Sequence, residues 1–342
     1  MPDRRNAAHR GACATVSRRA FVKVVSAGAL LAAGCRRPAP YIASDFVIPR
    51  SSPVALLAAP DYERDLTDVI LRGLQAIGAP SAAGRRVLLK PNIVEHERGT
   101  AINTHPAVIG AAAEAFRRSG AREVVVAEGA GHRRDTEYLL QATGLLDVLT
   151  ALRIPFIDLN LDDVRDVRLK SWFTGLESIH LPVEVLRSDL VVSLPKLKTH
   201  HWAGMTCAMK NLFGTVPGAV YGWPKNILHW HGITNSIVDL TATIRPSLAI
   251  VDAVVSMEGD GPIMGKPRAT GFLAFGLDPV AVDATCARAI GLEPQKLPYI
   301  VEAAQFLGNA AESRIRHLGE RPDRFRFSFD LVDSIKELRA SV

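Results

Sequence analysis

The chain has 342 residues, with 41 Lys and Arg against 35 Asp and Glu and a formal net charge of +6. Nearly all of that excess sits in the first 34 residues, where Arg4, Arg5, Arg10, Arg18, Arg19 and Lys23 face only Asp3, a net +5 that leaves the remainder near +1. With no basic stripe interleaved with aromatics after that point, no nucleic-acid partner is expected.

The first element in chain order is an export signal. Ser17-Arg18-Arg19-Ala20-Phe21-Val22-Lys23 has the twin-arginine form, and Val24 to Ala33 is an apolar run of signal-peptide length, too short to span a bilayer. Residues 1–34 are therefore read as a signal peptide for the twin-arginine export machinery, giving a periplasmic or outer-surface location. Ala32-Ala33-Gly34-Cys35 resembles a lipobox, which makes Cys35 the lipidation site of a lipoprotein held to the membrane by an N-terminal lipid anchor. Of the four cysteines, Cys13 leaves with the signal and Cys35 is acylated. Cys207 and Cys286 are too few for a ferredoxin-type iron–sulfur cluster on four protein thiolates.

Residues 35–53 are rich in Pro and Ser and read as a tether. Residues 54–342 suit a single domain or two tightly fused lobes. "VALLAA" (54–59) precedes a helical pattern over 65–77, "RVLLK" (86–90) one over 106–118 opened by Pro106, and "EVVVAE" (123–128) one over 135–143. "FIDL", "DLVVSL", "LAIVDAVV" and "FLAFGL" continue the series, the last followed by the helical "DPVAVDATCARAIG". Apolar runs without polar alternation predict strands buried on both faces. The βαβ rhythm predicts an α/β, doubly wound, mostly parallel sheet with helices on both faces.

In such sheets ligands sit beyond the carboxyl ends of the strands. Pro91-Asn92, Gly129 to Arg133, the stretch "KLKTHHWAGMTCAMKNLFGTVPG" (196–218), "SMEGDGPIMG" (256–265) and Asp278-Pro279 all follow strand ends and are expected on one rim. Histidines concentrate there: His132, His200, His201, His229, His231 and His105. Imidazole titrates near neutrality and binds borderline metals, so the cluster suits proton transfer or metal ligation. Gly204, Gly214, Gly218 and Gly222 permit close approach to a ligand, although no P-loop or dinucleotide fingerprint is present. Glu258 and Asp260 are either a carboxylate pair for a cation or acid–base work, or plain turn residues. Cys207 is either a thiolate near Lys210 or a small buried apolar residue.

"LLKPNIV", "THPAVIGAAAEAFRRSGAREVVVAEGAG", "SDLVVSLPKLKTHHWAGMTCAMKNLFGTVPG" and "LAIVDAVVSMEGDGPIMG" together resemble the domain of unknown function 362 family, from about Val54 to Gly308. Many members carry ferredoxin-type cysteines, which this sequence lacks. A more distant resemblance is to the nickel-dependent lactate racemase family. Gly131-His132-Arg133 is similar to its Gly-x-His-Arg motif, and His200, Gly204, Thr206 and Lys210 match a later motif in spacing. That resemblance implies His132 and His200 as proton carriers. It also implies Lys210 as a catalytic or cofactor-anchoring residue beside Gly204 and Thr206, and a transition metal such as nickel near His201, His229 or His231. Ser-Gly-Gly of that motif is replaced by Thr206-Cys207-Ala208, a departure that bears on the pincer cofactor more than on the acid–base pair.

The expected function is thus an exported, lipid-anchored enzyme, a metal-assisted isomerase or racemase or an oxidoreductase, acting on a small anionic substrate. The alternative is a non-catalytic lipid-anchored protein of the cell envelope that binds a metal or anion.

Overall fold

Each of the seven apolar runs from Val54 onward lies in a strand. In chain order the strands are β1 (Ser52–Ala58), β2 (Arg86–Pro91), β3 (Glu123–Glu128), β4 (Phe156–Asp158), β5 (Val164–Arg168), β6 (Ser178–Pro182), β7 (Leu190–Leu194), β8 (Lys196–His200), β9 (Gly204–Thr206), β10 (Leu248–Glu258), β11 (Lys266–Gly276) and β12 (Ile315–Gly319). The longer helices are α1 (Leu66–Ile77), α2 (Pro106–Arg118), α3 (Thr136–Ala142), α4 (Leu145–Leu152), α5 (Ile233–Ile244) and α6 (Pro279–Ala289). The computed structural model describes residues 38–341 apart from 132–134 and 224. The export signal, Cys35 and His132 lie outside the described residues. Tyr41 onward belongs to one compact unit.

The main sheet runs β12-β1-β11-β10-β7-β2-β3-β4, with the β8–β9 hairpin attached to β10. β10, β7, β2, β3 and β4 are parallel neighbours, and β11 alone on this path runs antiparallel to both strands beside it. Alternate residues serve opposite faces. Val87 and Leu89 of β2 join the core under α1 to α4, while Leu88 packs to the other side with Val125 and Val191. Val251, Ala253, Phe272 and Ala274 join the core against α5 and α6. The fold is a mixed, mostly parallel α/β sheet covered on both faces, which is why its strands show no polar alternation.

Local signals set the helix ends. The Asp65 carboxylate accepts the Asp68 N–H at the start of α1, and Gly78 closes that helix at φ 64°. His105 caps α2 ahead of Pro106, and Asp135 caps α3. Two expectations need correction. Because β11 is antiparallel, Asp278-Pro279 emerges at the rim opposite the parallel carboxyl ends. There Asp278 accepts hydrogen bonds from Ser52 Oγ (2.6 Å), at the start of β1, and from the Asn309 amide (2.8 Å). The tether also ends sooner than 53. Tyr41 stacks on Phe306 with ring centroids 4.0 Å apart, and Phe46 meets the same ring edge-on at 4.7 Å.

Candidate active site at the sheet's switch point

β2 leads onward to β3 and β4 on one side, whereas β7 and β10 lie on the other. The chain therefore reverses direction across the sheet at the β2–β7 boundary, the crevice where α/β sheets hold ligands. Just beyond it lies a cavity of about 120 Å³ whose lining includes Asn92, Glu128, Gly131, Lys198, His200, Thr206, Lys210, Lys225 and His229.

Its floor is an ion pair. Lys90 at the end of β2 and Glu128 at the end of β3 are both buried and meet at 2.7 Å. Glu128 is further held by the Ile93 N–H (3.0 Å) and the Gly129 N–H (2.9 Å), and Lys90 also donates to Pro91 O and Asn211 Oδ1. Asn211 Nδ2 returns bonds to Lys90 O and Ser193 Oγ, which staples the segment Lys210–Thr215 to β2 and β7. Gly214 is obligatory here: a Cβ on it would fall 1.8 Å from Glu128 Oε1 and 2.4 Å from Lys90 Nζ.

The other lysines have no carboxylate of their own. Lys198 donates to Ile102 O (2.6 Å) and Pro262 O (3.2 Å). Lys225, at φ 66° in the left-handed region, aims its ammonium at Gly129 O, Asn160 Oδ1, Gly214 O and Val216 O. Lys210 lies 3.8 Å over the Phe213 ring and has no hydrogen-bond acceptor among the described residues. Burial, reinforced by Lys90 and opposed by Glu128, brings the Lys210 ammonium down to about 7. Burial does the same for Lys225, to about 7, with Glu128 again opposing. Lys198 is driven well below the ordinary lysine range by burial and then by Lys210 and Lys196.

Two histidines complete the wall in complementary states. Lys198 pairs across the hairpin with Thr206, and His200 with Gly204. His200 is buried, and its Nδ1 accepts the turn N–H groups of Trp202 and Ala203, each at 3.2 Å. The neutral ring therefore carries its proton on Nε2. Burial, with Lys210 next in importance, holds its pKa well below the usual imidazole value. His229 has the opposite arrangement: Nδ1 faces Lys225 O at 3.3 Å, so Nδ1 donates and Nε2 keeps its lone pair. Its pKa is lowered by burial and by Lys210, although the bond to Lys225 O works the other way.

The remaining expected residues separate from this cluster. Gly204 belongs to the hairpin turn at φ 80°, where a Cβ would strike Leu297 at 2.4 Å, so its role is in packing rather than cofactor contact. His201 bonds to Gly261 O (2.8 Å) and approaches Asp260 at 3.4 Å. His231 turns to Thr174 O (2.9 Å), away from the cavity. Hence His201, His229 and His231 form no common ligand set, and among the described residues no three His, Cys, Asp or Glu side chains are placed to hold a metal ion. A metal held by these side chains alone does not fit, and the cavity is smaller than the roughly 300–1,000 Å³ typical of organic-ligand sites. Glu258 accepts the Asp330 N–H (3.1 Å), apart from Asp260, which favours the turn reading of that pair. Cys207 and Cys286 are free and buried, and burial pushes the Cys207 thiol well up, so it is no nucleophile. Lys90, Lys198, Lys225 and Glu128 were not singled out from sequence. A lysine ending a buried strand, as in "RVLLK", and the glutamate ending "EVVVAE" were usable signals; the lone Lys225 offered none.

A family model described as a domain of unknown function, DUF362, matches residues 87–288. The chain belongs to the DUF362 family. The matched segment contains every cavity residue named above. A thylakoid-associated protein of a Synechocystis strain is 31% identical over 259 residues, 72% of this DUF362 chain and 76% of its own length. Among solved structures, the lactate racemase apoprotein from Thermoanaerobacterium thermosaccharolyticum aligns at a TM-score of 0.46 with 12% identity, over 69% of this chain and 57% of its own. A Thermotoga maritima protein aligns at 0.39 with 13% identity, over 67% and 59%. The chain thus spans less than two thirds of both solved proteins.

Proposed function

We propose that this protein is an enzyme that moves a proton on a small anionic molecule, of isomerase or racemase type. One observation carries the reading: two imidazoles, one whose remaining nitrogen donates and one whose remaining nitrogen accepts, share a small lysine-lined cavity. Lysines suit a substrate carboxylate or similar group. His229 Nε2 is the available base for a proton beside that group. His200 Nε2–H faces the charge that develops as the proton leaves, and a fixed donor of this kind acts mainly in the transition state. Lys210, with a pKa near the working pH, returns a proton to the carbon; it and His229 then re-equilibrate with water. His200 is thereby a neutral hydrogen-bond donor rather than the proton carrier that the family resemblance implied, because Nδ1 is taken by two backbone N–H groups. His132, outside the described residues, adjoins Gly131 of the lining and stays a candidate second carrier.

We further propose, from the sequence motifs, that the chain is exported by the twin-arginine route and lipidated at Cys35. Arg18→Lys with Arg19→Lys should leave the precursor in the cytoplasm, and fatty-acid labelling should vanish in Cys35→Ala; export or labelling that persists refutes the corresponding half.

The chemistry is tested by solvent-deuterium incorporation into candidate 2-hydroxy and dicarboxylic acids. His229→Gln should lower exchange by about two to three orders of magnitude while keeping ligand affinity within a few-fold. Binding without any exchange in the wild type would make the protein a binder, not an enzyme.

A further inference from the structure

We infer that the cavity is built for a doubly charged small anion rather than a monocarboxylate, and that it takes up this anion together with protons. The inference rests on the anion-binding half of the function proposed above and is independent of its chemistry.

The charges set the argument. Among the described residues, four lysines, Lys90, Lys198, Lys210 and Lys225, surround the cavity with one carboxylate, Glu128, while Asp158 acts on Lys225 from outside the lining. The groups facing Lys210 are Lys90 from β2, Glu128 from β3, Lys198 and His200 from β8, and Lys225 and His229 from the segment before α5. Glu128 is the sole acid among them, and both its oxygens are already engaged. Carbonyl dipoles satisfy the hydrogen-bonding needs of Lys225 and of the neutral Lys198, but they supply no counter-charge. With Lys198 neutral and Lys90 paired to Glu128, a monoanion would leave one of the Lys210 and Lys225 ammoniums uncompensated in the lining, and a dianion leaves none.

The unused donors also converge. Lys210 has three and His200 its Nε2–H, both in the lining of a cavity of about 120 Å³, room for about four waters. Without a ligand, excess charge is relieved by loss of protons, and Lys210 and Lys225 sit at about 7. An arriving dianion restores the ammonium forms, so above neutrality binding must consume protons.

The test is titration calorimetry of the full chain with glycolate, malonate and sulfate, in buffers of different ionisation enthalpy. At pH 7.5 malonate or sulfate should bind at least about tenfold tighter than glycolate. Its heat should depend on buffer with a net uptake of about one proton or more, and its affinity should fall by about tenfold on moving to pH 8.5. Malonate ahead of sulfate identifies two separated carboxylates, and sulfate ahead identifies a single divalent centre. Lys210→Met should lose about half of the proton uptake and most of the preference. If that variant fails to fold, the wild-type buffer and pH series decides alone. Glycolate as tight as both dianions, no binding of either dianion, or heats that ignore the buffer would overturn the inference. Malonate binding with proton uptake but no deuterium exchange would leave it standing while refuting the proposed catalysis; exchange on monoanions without dianion preference would do the reverse.

Discussion

His200 shows how a residue's chemistry is set by what its backbone neighbours donate. Two turn N–H groups at 3.2 Å occupy Nδ1, so the ring keeps a proton on Nε2 and cannot take up a second without losing both bonds. Glutamine can present an N–H toward the same point, whereas alanine cannot. His200→Gln should retain most activity, and His200→Ala should lose about 10²- to 10³-fold in kcat with little change in binding. Equal losses in the two variants, measured by deuterium incorporation, would mean the N–H is not what matters. The sequence marked His200, Thr206, Lys210 and His229 because polar residues follow a strand end. It gave no means of telling donor from acceptor, since that depends on the hairpin turn for one ring and on Lys225 O for the other. Lys225 itself was invisible, because its place comes from a left-handed backbone at φ 66° and not from any pattern.

At the scale of elements, the parallel strands and their helices were readable from continuous apolar runs and capping residues. The direction of β11 was not. A long strand buried on both faces has the same composition whether its neighbours are parallel or antiparallel, so Asp278 was assigned to the wrong rim. Cross-element anchors carry the site loop. Gly214→Ala would drive a Cβ into the Lys90–Glu128 pair, and breaking a buried pair costs about 3–5 kcal/mol, to be seen as a lower denaturant midpoint at unchanged slope. Asp283 in α6 accepts the Ala208 N–H (2.7 Å) and Met209 N–H (3.3 Å), behind the loop that presents Lys210. Burial raises its carboxyl to about 7 from an ordinary 3.8. Between those values the unfolded chain releases the proton and the folded chain keeps it, so this residue's contribution falls as pH rises from about 4 to 7. In Asp283→Asn that part of the stability profile should flatten; an unchanged slope over pH 4–7 would show that the carboxyl titrates normally.

For the whole molecule, the same lysines that prepare the cavity for an anion govern stability above neutrality. Lys210 and Lys225 release protons near 7 when folded and Lys198 lower still, whereas lysine in the unfolded chain holds them to about 10.5. From pH 7 to about 9 the unfolded state therefore binds more protons, and unfolding free energy rises with pH. Cys207, Tyr62 and Tyr299 have raised pKa values and oppose this only beyond the ordinary 9 to 10 of their unfolded forms, which closes the window at about 9. Three such lysines give an increase on the order of 2–3 kcal/mol per pH unit, after allowance for the partial opening of Lys210 to the cavity. Denaturant unfolding at pH 7.5 and 8.5 should show this rise without ligand, and Lys210→Met should remove about a third of it. Saturating malonate must act with the opposite sign: it stabilises the folded state most at pH 7.5, where protonated lysines are cheapest to supply, and progressively less at higher pH. Curves with and without malonate should converge as pH rises. Parallel curves would separate stability from the cavity's protons and assign the pH dependence to groups elsewhere in the fold.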